Sequence, residues 1–343
     1  MSIELDEIRR EILSLTKLIK EYKLDTNKQF VDLRKHFNKK IQALIPSTDS
    51  SQRKLQLDQD ILPDDLSTKM SDNENRLNDL TGKEWVKSTK SWFTLAVKPR
   101  TKTEIDHPAK YPIELAERFI EFFTQKNHWV IDPFLGIGST LLACEKLERN
   151  GVGIEIDQKY AAAAHRNFSQ QTLTKTSVQN VICGDSNEID ELLSSFDKTK
   201  FNFCMTSPPY WNMLKKHRGG SDSQHKDRKE MGLPLDYRDN SKDNLGNIDD
   251  YNTFILKLAD IFRKLKKFML KGSYLVVVLQ NIRNDDNEYL PLAWDFAKEM
   301  EKHYALKQEQ IWCQTDKKLG IWGYPTTYVS NVHHHYCLIF QTI

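Results

Sequence analysis

Ser207-Pro208-Pro209-Tyr210 is the stretch whose residue types most directly suggest chemistry. It follows Phe201-Asn202-Phe203-Cys204, which reads as the start of a buried strand. Two successive prolines remove two backbone donors and fix φ twice, so no sheet ladder continues through them. Residues before proline are pushed to extended backbone, which makes a stiff rod with an aromatic ring at its tip. Such a rod is either a strand-terminating turn or a device that holds a hydroxyl, a carbonyl and a ring for a ligand. Carboxylates and glycines elsewhere bear on that choice. Asp132-Pro133-Phe134-Leu135-Gly136-Ile137-Gly138-Ser139-Thr140 combines an acid with two glycines that allow a tight turn, and the Ser-Thr pair can cap a following helix. Leu141 stands where the third glycine of a dinucleotide fingerprint belongs. Glu155 lies about 20 residues beyond that turn, where an acid can accept ribose hydroxyls. Asp185 follows the next strand-like segment and is equally suited to capping a helix.

Alternating elements must position these groups. Strands are expected at 128–134, 151–157, 180–185, 201–207 and 273–281, with two late ones around 308–314 and 334–340. Helices are expected at 139–149, 158–169, about 251–270 and 290–303, with a helical stretch between the third and fourth strands. Nearly all-apolar strands alternating with helices specify a parallel sheet covered on both faces. Ligands of such sheets sit beyond the carboxyl ends of the strands, where Asp132, Glu155, Asp185 and Ser207 all fall. Three acids in register there suit a small ligand with an adenosine half.

Residues 1–46 carry an a/d-type repeat, Leu5, Ile8, Ile12, Leu15, Ile19 and Tyr22, and read as a helical extension that packs on its own domain or pairs with a second copy. Residues 47–83 read as a polar linker and 84–343 as the main domain. Net charge is +2 for 343 residues, so any basic surface is local. Five scattered cysteines without a Cys-x-x-Cys read as reduced core residues of a cytoplasmic protein, and no metal site is expected. The apolar runs are too short for a bilayer, and no signal peptide is expected. His333, His334 and His335 alternate faces of a strand, so all three cannot serve one metal.

With these residues in view, the chain resembles the DNA amino-methyltransferases over roughly 84–343. "DPFLGIGST" is similar to their S-adenosylmethionine-binding turn, "TSPPYW" to their catalytic motif, and "HPAKYPIELAERFI" to the segment leading into the sheet. The resemblance implies a Rossmann-like, mostly parallel seven-stranded methyltransferase sheet with helices on both faces. It implies that Phe134, Gly136 and Gly138 cradle the methionine portion of S-adenosylmethionine, with Tyr111 and Pro112 at the same end. Asp132 would hold the amino group through water, Glu155 the ribose, Ile156 the adenine face and Asp185 the adenine amine. Ser207 and the Pro208 carbonyl would accept from the target amine, Pro209 would stiffen the rod, and Tyr210 would stack on a flipped base.

Ser in the first motif position is associated mainly with cytosine-N4 methylation, and adenine-N6 methylation is the alternative. Carbon-5 methylation of cytosine needs a nucleophilic cysteine, usually after a proline, and the chain has no Pro-Cys. A non-catalytic methyltransferase fold serving as a coiled-coil partner is the reading of a different class. The implied partner is double-stranded DNA, within a bacterial, archaeal or phage-encoded restriction-modification or defence system that can include a cognate endonuclease. The candidate DNA-recognition segment is 212–246, with Lys215, Lys216 and Arg218 at its basic start. Trp85, Trp92 and Phe93 belong either to the core or to a DNA face.

Overall fold

Backbone alternation settles the core. Along the strand Met269–Leu279, Leu275, Val277 and Leu279 join one apolar cluster, while Val276 and Val278 join another on the opposite face. Ile131 and Val130 divide in the same way. Successive side chains of a strand point to opposite faces, so each of these strands is covered on both sides.

The computed structural model describes residues 76–95, 111–169, 177–194, 200–211, 245–284, 288–315, 317, 319–321 and 324–343. In chain order the elements are α1 (Gly82–Ser88), β1 (Trp92–Thr94), α2 (Ile113–Phe123), β2 (Trp129–Asp132), α3 (Ser139–Lys146), β3 (Asn150–Glu155), α4 (Gln158–Ser169), β4 (Gln179–Cys183) and α5 (Ile189–Ser194). They continue with β5 (Phe201–Thr206), α6 (Tyr251–Leu265), β6 (Met269–Leu279), β7 (Ile282–Arg283), β8 (Tyr289–Leu290), α7 (Leu292–Met300), β9 (Tyr304–Cys313) and β10 (His334–Thr342). The main sheet has the order β1-β9-β10-β6-β5-β2-β3-β4, and β7 and β8 form a separate pair. From β6 through β5, β2 and β3 to β4 all neighbours are parallel. β10 is antiparallel to both β6 and β9.

The helices read as amphipathic and pack accordingly. α2 buries Leu115, Ala116, Phe119, Ile120 and Phe123, one stripe of a 3.6-residue period. α6 starts at the Asp250 cap, whose carboxylate accepts from Thr253 N at 2.7 Å. It buries Phe254, Ile255, Leu258, Ala259, Ile261, Phe262 and Leu265. Chain direction reverses at one point in the sheet: from β2 the chain passes through α3 to β3 on one side, and from the adjacent β5 through α6 to β6 on the other. The carboxyl ends of β2 and β5 therefore border the crevice where such sheets bind ligands.

The sheet departs from expectation in three places. It has eight strands rather than seven, because β1 adds to the outer edge of β9 in parallel register. α6 stops at Leu265, where a short 3₁₀ turn over Lys266–Phe268 intervenes, and β6 begins already at Met269. Residues 76–83, read as linker, pack instead on the main unit. Asn78 is buried and donates to the Phe122 carbonyl at 2.5 Å, while Thr81 and Glu84 form a reciprocal capping box for α1. Residues 1–46 and the rest of the expected linker lie outside the described residues, as do Lys215, Lys216, Arg218 and residues 212–244.

Candidate active site

The turn after β2 is built around Asp132. Gly136 and Gly138 hold φ of 59° and 97°, the left-handed region that favours glycine. Gly138 is the N-cap of α3 and supplies no side-chain cap. The expected Ser-Thr cap does not form, because both hydroxyls turn inward: Ser139 donates to the Tyr111 carbonyl at 2.9 Å and Thr140 donates to Asp132. Fully buried, Asp132 accepts on Oδ1 from Phe134 N at 3.0 Å and Thr206 Oγ1 at 2.6 Å, and on Oδ2 from Tyr111 Oη at 3.0 Å and from Thr140. Burial raises its pKa, and the four donors oppose that rise. Four donors use the lone pairs of a carboxylate. Asp132 therefore holds protein groups where sequence placed it against a ligand amine through water. Tyr111 stands behind it, buried, and Pro112 caps α2.

Glu155 ends β3 and faces the same turn. Its two oxygens accept from Gly136 N at 2.7 Å and Asp157 N at 2.9 Å, leaving a lone-pair direction on each. Burial pushes its pKa up to about 7 against those two N–H groups. Ile156 and Phe134 are half-buried beside it, with Phe134 packed towards Phe262 at 6.3 Å between ring centroids. After β4, Asp185 caps the turn Ser186–Glu188, its Oδ1 accepting from Asn187 N at 2.9 Å and Asn187 Nδ2 at 3.0 Å. The helix-cap alternative for Asp185 is thus realised, on one of its oxygens. Ser186 ties this turn to the β2 end by donating to the Pro133 carbonyl. An acid with open lone pairs, a glycine turn and a half-buried apolar pair fit a ribose and a flat base.

The prolines explain how the rod is anchored. The β5–β6 ladder ends at Thr206 opposite Val277. The Val278 carbonyl instead accepts the Ser207 hydroxyl at 3.2 Å. A hydroxyl has one hydrogen, so a Ser207 that donates to Val278 offers lone pairs to anything else. Among the described residues nothing donates to the Pro208 carbonyl. Tyr210 is 8% exposed rather than open at the tip, because its ring packs into the apolar core. Its hydroxyl lies 3.5 Å from both Ser207 Oγ and the Val278 carbonyl, and its ring sits 6.2 Å from His335.

Strand alternation made visible the positions of Asp132, Glu155, Asp185 and Ser207, and the structure brings all four to one rim. The observed roles of Thr206, Thr140, Val278 and His335 were not legible in the sequence. Thr140 looked like a cap and Val278 like plain core, and nothing local marks a backbone carbonyl as an acceptor. His335 is half-buried and stacks on the ring of Trp312 at 4.9 Å, and desolvation lowers its pKa to about 3, so it stays neutral. Of the three aromatics left open, Phe93 is core, while Trp85 and Trp92 are exposed. Cys144, Cys204 and Cys337 are buried as expected, but Cys183 is exposed at the end of β4. Among the described residues no three His, Cys, Asp or Glu side chains are grouped to hold a metal, and no helix is long and apolar enough to cross a membrane.

A doubly wound sheet with this strand order and an antiparallel β10, bearing a glycine turn and a terminal acid on neighbouring strands, has the S-adenosylmethionine-dependent methyltransferase fold. Comparison with known proteins narrows the class. A DNA methylase family model (N6/N4 methyltransferase) matches residues 9–166, a span that includes the glycine turn and Glu155 and ends before the rod. The type II methyltransferase M.BglI of Bacillus subtilis is 36% identical over 92 residues, 26% of this chain and 25% of that protein. The type II methyltransferase M.MjaII of Methanocaldococcus jannaschii is 28% identical over 229 residues, 62% of this chain and 40% of that protein. The chain thus spans well under two thirds of the length of these curated relatives. Among solved structures, TrmN from Thermus thermophilus superposes with a TM-score of 0.42 at 11% identity, covering 69% of this chain and 50% of that one. Over the matched spans the chain is thus similar to DNA amino-methyltransferases.

Proposed function

We propose that the protein methylates the exocyclic N4 amine of a cytosine flipped out of duplex DNA, using S-adenosylmethionine. The same chemistry on adenine N6 is the alternative within the family. The observation that carries the proposal is the Ser207 hydroxyl, whose hydrogen is engaged by the Val278 carbonyl beside the unengaged Pro208 carbonyl. An amine conjugated to a base is a poor nucleophile, because its lone pair is delocalised into the ring. Two acceptors that take its two hydrogens favour a pyramidal nitrogen and expose that lone pair. They also stabilise the charge that grows on nitrogen during transfer.

When bound, S-adenosylmethionine supplies a methyl carbon made electrophilic by its sulfonium sulfur. Glu155 accepts its ribose hydroxyls, Ile156 packs on the adenine, and Asp185 uses its second oxygen for the adenine amine. Gly136 and Gly138 let the backbone approach the methionine end. The base lies out of reach inside a duplex, so it is extruded, and Tyr210 holds one face of it after turning out of its buried position. Rate then depends chiefly on how well amine and methyl are aligned. Duplex DNA is the partner. Residues 1–46 are the segment through which two copies would pair, and a cognate endonuclease would complete a restriction-modification system in the cytoplasm.

Mass spectrometry of nucleosides from DNA treated with the pure protein tests this reading. N4-methylcytosine is the expected product, N6-methyladenine would move the assignment to the alternative, and no methylated nucleoside would sink it.

Glu155 makes cofactor binding depend on pH. Its folded pKa of about 7 lies above its ordinary 4.5, the reverse of a carboxylate that gains a cationic partner. Below about pH 4.5 both folded and unfolded forms keep the proton, so stability does not change with pH and the contribution of the protonated group is fully present. Between 4.5 and 7 the folded form keeps a proton that the unfolded chain gives up, so ligand-free stability falls as pH rises and levels off above 7. Ribose hydroxyls favour the ionised form, so cofactor affinity should rise through the same window with release of a proton. Calorimetry in buffers of different ionisation heat reads that proton. Glu155→Gln should flatten the profile, and a wild-type affinity unchanged from about pH 5 to about pH 8 would refute the ribose contact.

A further inference from the structure

The connection from β9 to β10, residues 314–333, leaves the sheet at the rim that carries the rod. β9 runs in the same direction as β6, since β10 is antiparallel to both. Its carboxyl end therefore lies with those of β2 and β5. At the base of the connection His335 pairs with Trp312 across β9 and β10, and its ring is the one that neighbours Tyr210.

Three described pairs brace the two limbs of this connection. Gln314 N donates to the His333 carbonyl at 2.7 Å, and Lys317 Nζ donates to the Val332 carbonyl at 3.1 Å. Further out, Asn331 accepts from Gly320 N at 2.8 Å and donates to the Gly320 carbonyl at 2.9 Å, joining the two limbs by a doubled amide contact. At and beyond that brace the finger presents large apolar side chains to solvent. Leu319 is 76% exposed, Ile321 85%, Tyr324 81% and Tyr328 90%. Single exposed apolar residues need no explanation, but four on one braced projection mark a contact surface.

We infer that this finger is the wedge that engages the DNA duplex beside the target base, with Ile321, Tyr324 and Tyr328 as its contact residues. The inference rests on the proposed base-flipping reaction and adds the element that supports it. Extruding a base leaves a gap in the stack, and proteins that open base steps fill them with apolar or aromatic side chains. Tyrosine rings stack on bases without regard to sequence. Charge also favours nucleic acid, since residues 314–333 contain one carboxylate, Asp316, against Lys317 and Lys318. The finger lies two strands from the rod in the sheet order β10-β6-β5 and rises from the same carboxyl rim.

The test replaces Ile321, Tyr324 and Tyr328 together by serine, at positions too exposed to carry the fold. Binding of S-adenosylmethionine should be unchanged. Methylation of an intact duplex should fall roughly tenfold or more, the scale of losing one or more base-stacking contacts. A duplex whose target lies opposite an abasic site, already open, should recover to within about threefold of wild type. The slope of binding against log salt should not change, because no phosphate contact is removed. Equal rates for variant and wild type on the intact duplex would overturn the wedge. Equal rates together with a smaller sedimenting species for the variant would overturn it in favour of a contact between copies. A wild type that methylates no DNA at all would instead overturn the methyltransfer reading on which the wedge rests.

Discussion

Ser207→Ala is expected to lower kcat by about 100-fold or more while the dissociation constant for S-adenosylmethionine stays within about twofold. The hydroxyl stands at the carboxyl end of β5, whereas Glu155, the acid proposed for the ribose, stands at the end of β3, on the far side of β2. Its lone pairs are aimed by the bond it donates to the Val278 carbonyl. Alanine removes the acceptor and leaves that carbonyl with the 3.5 Å approach of the Tyr210 hydroxyl. The loss should appear in kcat and in kcat/KM together, the signature of an interaction made chiefly in the transition state. Tyr210→Phe should keep its rate within about threefold, since the hydroxyl makes only 3.5 Å contacts and the proposed stacking needs only the ring. A Ser207→Ala protein that turns over at the wild-type rate would remove the amine-gripping role from the rod.

The rod also shows which parts of this protein were legible before its fold was seen. Pro208 and Pro209 forced the end of β5 to within one residue, because a missing donor is a local fact. Alternation placed β2, β3 and β4 close to their observed bounds for a similar reason: an all-apolar run between turn residues has few other uses. The added strand β1 was not legible. Three residues, Trp92–Thr94, pair with β9 only after the chain has returned more than 200 positions later, and only its buried Phe93 has a tertiary reason to be there. The finger escaped notice because its exposure is visible only once β9 and β10 have consumed the apolar residues around it. The burial of Tyr210 was hidden in the same way, since nothing local says that its ring lies near His335.

Asp132 carries the second large effect, and it is an effect on folding as well as on function. Asp132→Ala is expected to cost about 3 kcal/mol or more of stability. Two opposing terms decide that number. The carboxylate is fully buried, and its desolvation is a cost that alanine removes. Against this, alanine strands four donors, each worth about 1–3 kcal/mol when buried without a partner. Tyr111 and Thr140 can satisfy one another, since their hydroxyls already touch. Phe134 N and the Thr206 hydroxyl have no such substitute among the described residues, and they tilt the balance to destabilisation. Asp132→Asn keeps one oxygen and the shape, and the Tyr111 and Thr140 hydroxyls can turn to accept from its amide, so it should cost only about 1 kcal/mol. Thr206→Val tests the functional half of the network. Thr206 is the last residue of β5 and Asp132 the last of β2, so their 2.6 Å bond ties the glycine turn to the rod. Losing it should reduce kcat more than cofactor affinity, with Thr206→Ser restoring the rate, because alignment across the crevice is what the bond supplies. Urea unfolding at constant m-value reads the stability changes and single-turnover kinetics reads the rate. An Asp132→Ala protein with the wild-type urea midpoint would show that the carboxylate is not the post on which these four groups are hung.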